Sequence, residues 1–319
     1  MKEYFILFLV TSVLFASNEP LKLTPEYFNE CVPCTEKMRK SSFPLITGDT
    51  FRSLCDHKID ECCEDFYPEN VLKGDIIYVT PPGLKVFFES MHPKILEPYI
   101  LLTHNSDDSF PEAFEIYLND EKLAYWFTTN NSLPLHQKMV SIPIGIANAY
   151  WPHGNKDVFL DVMGQEVEKK HMLIMNFETQ TNSQKRLPIL KNFAKKNFCY
   201  NPPKKKLQPY LLDMKSSYFV LSPVGNGLDC HRTWEALLLG TVPIVESTTL
   251  NSMYKDLPVL IVDDLKNVNL ELLKEKLVEF FDQEFVMKKT QMNYWKIVLD
   301  EKKNEVISRS SSFNDAQSN

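Results

Sequence analysis

The chain of 319 residues offers no apolar run long enough to cross a membrane as a helix. Its most apolar stretch, Phe5 to Phe15, is interrupted by Thr11 and Ser12 and falls well short of the roughly 20 residues a span needs. An excess of positive charge is also lacking. Lys and Arg number 35 against 42 Asp and Glu, a formal charge of −7, which gives no general attraction to nucleic acid or anionic membrane. The local exception, Lys204 to Lys206 after Pro202 and Pro203, reads as a solvated turn rather than a binding patch. No repeat of fixed period is present. A hydrophobic share of 44% beside 24% charged residues excludes general disorder, and the length suffices for two domains, each with its own core.

What is present begins with a processing signal. Lys2, the apolar stretch and the small residues Ala16 and Ser17 predict a signal peptide over residues 1–17. The expected location is therefore the secretory-pathway lumen or the extracellular space, or the periplasm in a bacterium; the alternative is an uncleaved anchor. Cys31, Cys34, Cys55, Cys62 and Cys63 cluster in residues 18–70, with Cys199 and Cys230 far downstream. Such clustering predicts disulfides that staple a loop-rich segment. A zinc site on Cys31-x-x-Cys34 is the alternative, which adjacent Cys62 and Cys63 fit poorly. The odd total leaves at least one free thiol or an intermolecular bridge.

Further on, strand-like and helix-like stretches alternate. Strands are predicted at 75–80, 99–103 and 123–128, with an apolar run at 141–146. Helical spacing marks 84–96, bent at Pro93, and 112–118. A polar stretch from Trp151 to Lys170 predicts the boundary between domains at 71–160 and 161–307. The second repeats the pattern, with strands at 171–177, 218–222, 242–245 and 259–262. Its helices are 184–196 (broken early by Pro188), 207–216, 232–239 and 270–281. The Ser/Asn-rich tail, 308–319, reads as disordered. Alternation of this kind predicts an α/β fold of two Rossmann-like domains facing a cleft, with a cysteine-rich N-terminal segment and ligands at the carboxyl ends of the strands.

The most informative segment is Tyr218 to Pro243. A strand runs into a loop with Gly225 and Gly227, Asp229 is placed to cap a helix beginning near His231, and Gly240 ends it. A glycine loop before a helix N-terminus suits a diphosphate. At 100° per residue Arg232, Glu235, Ala236 and Leu239 share one face, leaving Trp234, Leu237 and Leu238 to pack on the sheet. A guanidinium matches pyrophosphate and a carboxylate matches ribose hydroxyls; the alternative is a surface ion pair worth a few tenths of a kcal/mol. Asn176 and Arg186 border the first strand of this domain, and Arg186 is either a second charge on the diphosphate or a surface residue.

This segment resembles the donor-binding part of exostosin-like glycosyltransferases, through Arg232, Glu235, Ala236, Gly240, Pro243 and the continuation Val245 to Tyr254. The likeness is good over residues 218–264 and loose before them. It implies a GT-B-type enzyme that moves a sugar from a nucleoside-diphosphate sugar, a UDP-sugar first, to a glycan or glycoprotein hydroxyl with inversion. Arg232 would hold diphosphate, Glu235 ribose, and Gly225, Asn226, Gly227, Asp229 and the amides to Cys230 would line the donor site. Inverting transfer needs a base near the acceptor. His104, Asp107 and Asp108 follow a strand directly, with Asp107 or Asp108 the preferred base or, alternatively, mere caps of the next helix. His136 is a weaker candidate. Asn130-Asn131-Ser132 is either a glycosylation sequon or a polar turn. No Asp-x-Asp triplet occurs, so neither metal nor cofactor is expected, and Arg232 with the helix dipole takes that work. The expected partners are donor and acceptor alone, with no nucleic acid and no membrane span. The rival class is a secreted carbohydrate-binding protein with an inactive transferase fold. A two-carboxylate hydrolase fits less well, because adjacent Asp107 and Asp108 point apart.

Overall fold

The computed structural model describes residues 38–62, 65–108, 112–133 and 136–309. The signal segment, Cys31, Cys34, Cys63 and most of the C-terminal tail lie outside these.

Two five-stranded sheets, all parallel, form the framework. The first runs in sequence order: β1 (His57–Ile59), β2 (Ile76–Val79), β3 (Tyr99–Thr103), β4 (Leu123–Thr128) and β5 (Met139–Ser141). The second contains β6 (His171–Ile174), β7 (Cys199–Tyr200), β8 (Ser217–Leu221), β9 (Val242–Glu246) and β10 (Leu260–Val262), in the order β10-β9-β8-β6-β7. Around them lie α1 (Gly48–Ser53), α2 (Leu84–Val86), α3 (Lys156–Gly164), α4 (Ser183–Phe193), α5 (Leu207–Lys215), α6 (His231–Leu238), α7 (Asn251–Tyr254), α8 (Leu270–Phe281) and α9 (Met292–Ser308). This is the α/β architecture of two parallel sheets that the alternating pattern predicts.

The strands are apolar on both faces because both faces are covered. Along β2 and β3, Ile76, Tyr78, Ile100 and Leu102 enter one core, while Ile77, Val79, Tyr99 and Leu101 enter another. In β8, Phe219 and Leu221 face Ile189, Phe193 and Leu273, and Val220 faces Phe159, Leu211 and Met214. The largest core belongs to neither half alone. It joins β2, β3 and β4 to Trp234 and Leu237 of α6, to Met253 and Tyr254 of α7, and to α9.

Several expectations need correction. The cysteine-rich segment is not merely a stapled loop, since residues 48–59 supply α1 and the edge strand β1. Thr47 caps α1, its hydroxyl accepting from the Thr50 amide at 3.0 Å. Cys55 is a buried free thiol and Cys62 is disulfide-bonded. Helix α9, which falls in the second domain by sequence, packs on the first sheet through Met292, Trp295, Leu299 and Val306. The polar stretch 151–170 contains α3. Pro188 does not break α4: it removes one backbone bond, and burial of Ile189 and Phe193 with the Asn182 cap holds the remainder. Residues 142–146 are not strand. Their alternate amides instead bond to Thr128, to the Asp229 carboxylate and to Ile46.

Candidate active site

The loops at the carboxyl ends of the two sheets meet. The Asp229 amide donates to Asn130 Oδ1 at 2.8 Å, Asn226 Nδ2 to Asp107 Oδ2 at 3.0 Å, and His231 Nδ1 to the Gly145 carbonyl at 2.7 Å. The Thr249 hydroxyl donates to the Asn131 carbonyl.

On the second half, the loop 223–230 is shaped from beneath by Arg186, which is 5% exposed. Its Nε donates to the Val224 carbonyl at 2.9 Å, Nη2 to Pro223 at 3.1 Å, and Nη1 to the Glu178 carbonyl at 2.8 Å and the Thr181 hydroxyl. A guanidinium spent on carbonyls is not free for a diphosphate, so Arg186 is a scaffold for the loop. The glycines answer to the same packing. A Cβ on Gly225 would lie 2.8 Å from Arg186 Nη2, and one on Gly227 would lie 2.6 Å from Asn130 Nδ2. Neither has positive φ.

Asp229 does not cap α6; Cys230 holds that position with no side-chain bond. The Asp229 carboxylate is buried and fully occupied. Oδ2 accepts from the Ile144 amide (2.8 Å) and Trp234 Nε1 (2.7 Å), and Oδ1 from Tyr254 Oη and the Cys230 amide (both 2.9 Å). Burial raises its pKa. It ties the two halves together and leaves no room for a second anion.

Arg232 and Glu235 stand one turn apart as predicted, but the rest of α6 is turned. Trp234 and Leu237 enter the joint core, and Ala236 and Leu239 face the second sheet. The helix is thus sandwiched between the halves. Arg232 Nε donates to the Asn176 carbonyl at 2.8 Å, while Nη1 is buried with no hydrogen-bond partner. The guanidinia of Arg232 and Arg186 each lie 5.7 Å from the Phe177 ring centroid; burial lowers the Arg186 pKa, and the Arg232 charge adds to that. Glu235, 5% exposed, accepts from Tyr210 Oη at 2.7 Å through Oε2. Asn176 contributes its carbonyl, and exposed Asn226 reaches across to Asp107.

On the first half, a cleft of about 460 Å³ is lined by residues of the 38–49 segment, Glu61, the loop after β3, residues 144–151 and His231. Asp107 is on its wall. Asp108 is exposed and accepts from the Ser106 hydroxyl at 2.7 Å, away from the lining. His104 is on the wall but inert: Nδ1 accepts from the Asn105 amide (2.7 Å), Nε2 donates to the Pro143 carbonyl (3.1 Å), and burial lowers its pKa to about 4. His136 lies in a turn, its Nδ1 accepting from the Lys138 amide. Asn130 is fully buried, with both side-chain ends bonded, so the sequon has no room for a glycan. Sequence reasoning missed Arg39, Asp49, Asn105 and Asn148, which form one bonded network, and Tyr150 and Trp151 at the rim. The Thr47 cap with an acidic residue in the first turn could have revealed α1 and hence Asp49.

Among the described residues no helix is long and apolar enough to cross a membrane. Residues 161–305, just under half of the chain, match the family model of the RXYLT1 C-terminal domain. Comparison with curated protein sequences finds no significant match. Among solved structures, the chain is similar to OtsA in its apo form, at 10% identity and a TM-score of 0.43 over 73% of each chain. It is also similar to a UDP-forming α,α-trehalose-phosphate synthase from Burkholderia vietnamiensis (10% identity, TM-score 0.42, 74% of each chain). A third is the UDP-GlcNAc 2-epimerase of Methanocaldococcus jannaschii in complex with UDP-GlcNAc and UDP, at 14% identity and a TM-score of 0.34, covering 70% of this chain and 75% of that one.

Proposed function

We propose that this protein is a glycosyltransferase that moves a sugar from a nucleoside-diphosphate sugar, with UDP as the first candidate, to a hydroxyl of a glycan or glycoprotein. The family-model match over 161–305, to an exostosin-like family, supports a glycosyltransferase. The observation that carries the finer reading is Arg232 Nη1, a buried guanidinium donor with no partner. A buried unpaired donor costs about 1–3 kcal/mol, and a diphosphate oxygen would satisfy it. Arg232 Nε, fixed on the Asn176 carbonyl, sets the direction of the fork. As the glycosidic bond breaks, the leaving diphosphate gains charge, and Arg232 with the α6 N-terminus would stabilise it more in the transition state than in the ground state. Glu235, positioned by Tyr210, would take the ribose hydroxyls. The reaction is read as inverting and independent of metal, with the acceptor in the 460 Å³ cleft, and the protein as one exported to the secretory pathway or beyond.

The test is calorimetric titration of the protein with UDP and GDP, beside Arg232→Ala and Glu235→Gln. We expect one nucleotide to bind at roughly micromolar affinity and at least tenfold weakening in both variants. Failure of folded wild type to bind either nucleotide would overturn the reading and leave a carbohydrate-binding protein on this fold.

A further inference from the structure

We infer that Asp49, on the wall of the cleft, is the base that takes the proton from the acceptor hydroxyl. This rests on the glycosyltransferase reading above and supplies the residue which that reading leaves open. Asp49 is 1% exposed, and its two carboxylate oxygens have different surroundings. Oδ1 accepts from Arg39 Nη1 at 2.9 Å and from Asn105 Nδ2 at 3.1 Å, whereas Oδ2 is buried and without a partner. The network closes on itself: the Asp49 amide donates to Asn148 Oδ1, and Asn148 Nδ2 donates to Asn105 Oδ1, both at 2.9 Å. The carboxylate is therefore held in one orientation with one oxygen unclaimed.

Asn105 has a φ of 64°, a left-handed conformation that asparagine adopts more readily than other non-glycine residues. Its side chain reaches Asp49 through space that only glycine leaves open, since a Cβ on Gly48 would lie 1.8 Å from Asn105 Oδ1. Tyr78 Oη is likewise buried without a partner, and burial, with the charges of Asp60 and Asp49 adding to it, raises its pKa. The cleft reaches the donor side as well, because His231 is part of its wall and directly precedes Arg232. Arg39 and Asn105 bond to Asp49, and Arg39 is shared with Glu61, a second carboxylate on the wall; the charges of Arg52 and Asp49 act on Asp49 and Tyr78 respectively, and His104, His231 and Asp107 lie elsewhere on the wall. Burial raises the Asp49 pKa, while Arg39 and Arg52 oppose that and favour the ionised form.

The step balances without a further reactant. The acceptor proton passes to Asp49 Oδ2 as the acceptor oxygen bonds to the anomeric carbon. The bond from that carbon to the diphosphate oxygen breaks, and its electron pair leaves on the diphosphate, facing Arg232. Asp107 and Asp108, either of which the sequence offers as base, are both exposed; Asp107 Oδ2 is held by Asn226 and Asp108 by Ser106.

The test uses the full chain and water as the acceptor. UDP release from UDP-glucose, UDP-galactose, UDP-xylose and UDP-N-acetylglucosamine is measured beside UDP affinity by calorimetry. Asp49→Asn should bind UDP as wild type does and release it about 10²–10⁴-fold more slowly, with Asp107→Asn losing far less. If Asp49→Asn does not fold, Asp49→Glu decides, by shifting the acid limb of the pH–rate profile. Release by Asp49→Asn within threefold of wild type, a larger loss in Asp107→Asn, or an unmoved acid limb in Asp49→Glu would overturn the assignment. Wild type that binds neither UDP nor GDP would instead sink the glycosyltransferase reading itself.

Discussion

His104 is a histidine whose two ring nitrogens are both committed to backbone, and its enclosure has a measurable price in acid. Burial holds its pKa at about 4, against 6.5 in the unfolded chain. Below pH 6.5 the unfolded chain binds a proton that the folded chain refuses, so stability is lost as pH falls from 6.5 towards 4, by up to about 3 kcal/mol. Urea unfolding at pH 7 and pH 4.5 should show this loss, and His104→Gln should show a smaller difference between the two pH values. An equal difference would mean that His104 is protonated in the fold. The sequence placed His104 correctly at a strand end but could not show the Pro143 carbonyl, 39 residues away, that disarms it. Neither role the sequence offered for Arg186 anticipated its bonds, because two of the three carbonyls it holds lie almost 40 residues downstream. Asp49 was hidden differently, in a segment whose cysteines drew the reading toward disulfides.

Among the elements, the loop 223–230 and α6 were legible as a unit, and only their surroundings were not. The apolar residues of α6 fall at helical spacing, but spacing does not say that two surfaces compete for the helix. The loop's dependence on Arg186 gives a direct check. Arg186→Met would strand the Pro223, Val224 and Glu178 carbonyls and is expected to cost about 3 kcal/mol, read as a lowered urea midpoint. Gly225→Ala should destabilise for the complementary reason, since its methyl meets the guanidinium. Restoration of Gly225→Ala by Arg186→Met would confirm that the two share one space. Strands β2, β3, β4, β6 and β8 announced themselves as short apolar runs, whereas β1 and β7, three and two residues long, carry no period to detect. Helix α9 did carry one: Met292, Trp295, Leu299 and Val306 recur at spacings of three, four and seven.

For the molecule as a whole, the joint core predicts that the two halves unfold together. Trp234, Leu237 and Tyr254 of the second half pack among side chains of the first, and Asp229 bonds to Ile144 across the boundary. Calorimetry should therefore give a single transition, with calorimetric and van't Hoff enthalpies in agreement; two resolved transitions would refute a shared core. Trp295→Ala, which empties a 6% exposed site on α9, should cost about 3–5 kcal/mol and lower that one transition without splitting it. The sequence conveyed two α/β halves, but not their merger, because joint burial depends on which surfaces meet.

The return of α9 to the first sheet also separates covalent order from spatial order. Asp282, Gln283 and Glu284 are exposed, and a protease that nicked the chain there would cut the helix off from the half it follows. The severed piece would not drift away. Its Met292 amide is bonded to the Pro44 carbonyl at 3.0 Å, Lys303 to Asp56 at 2.7 Å, and Glu305 to Tyr125 at 2.6 Å, above four buried apolar side chains. A nicked molecule would run as two bands under denaturing conditions and as one particle in solution, its C-terminal peptide held as a non-covalent part of the fold.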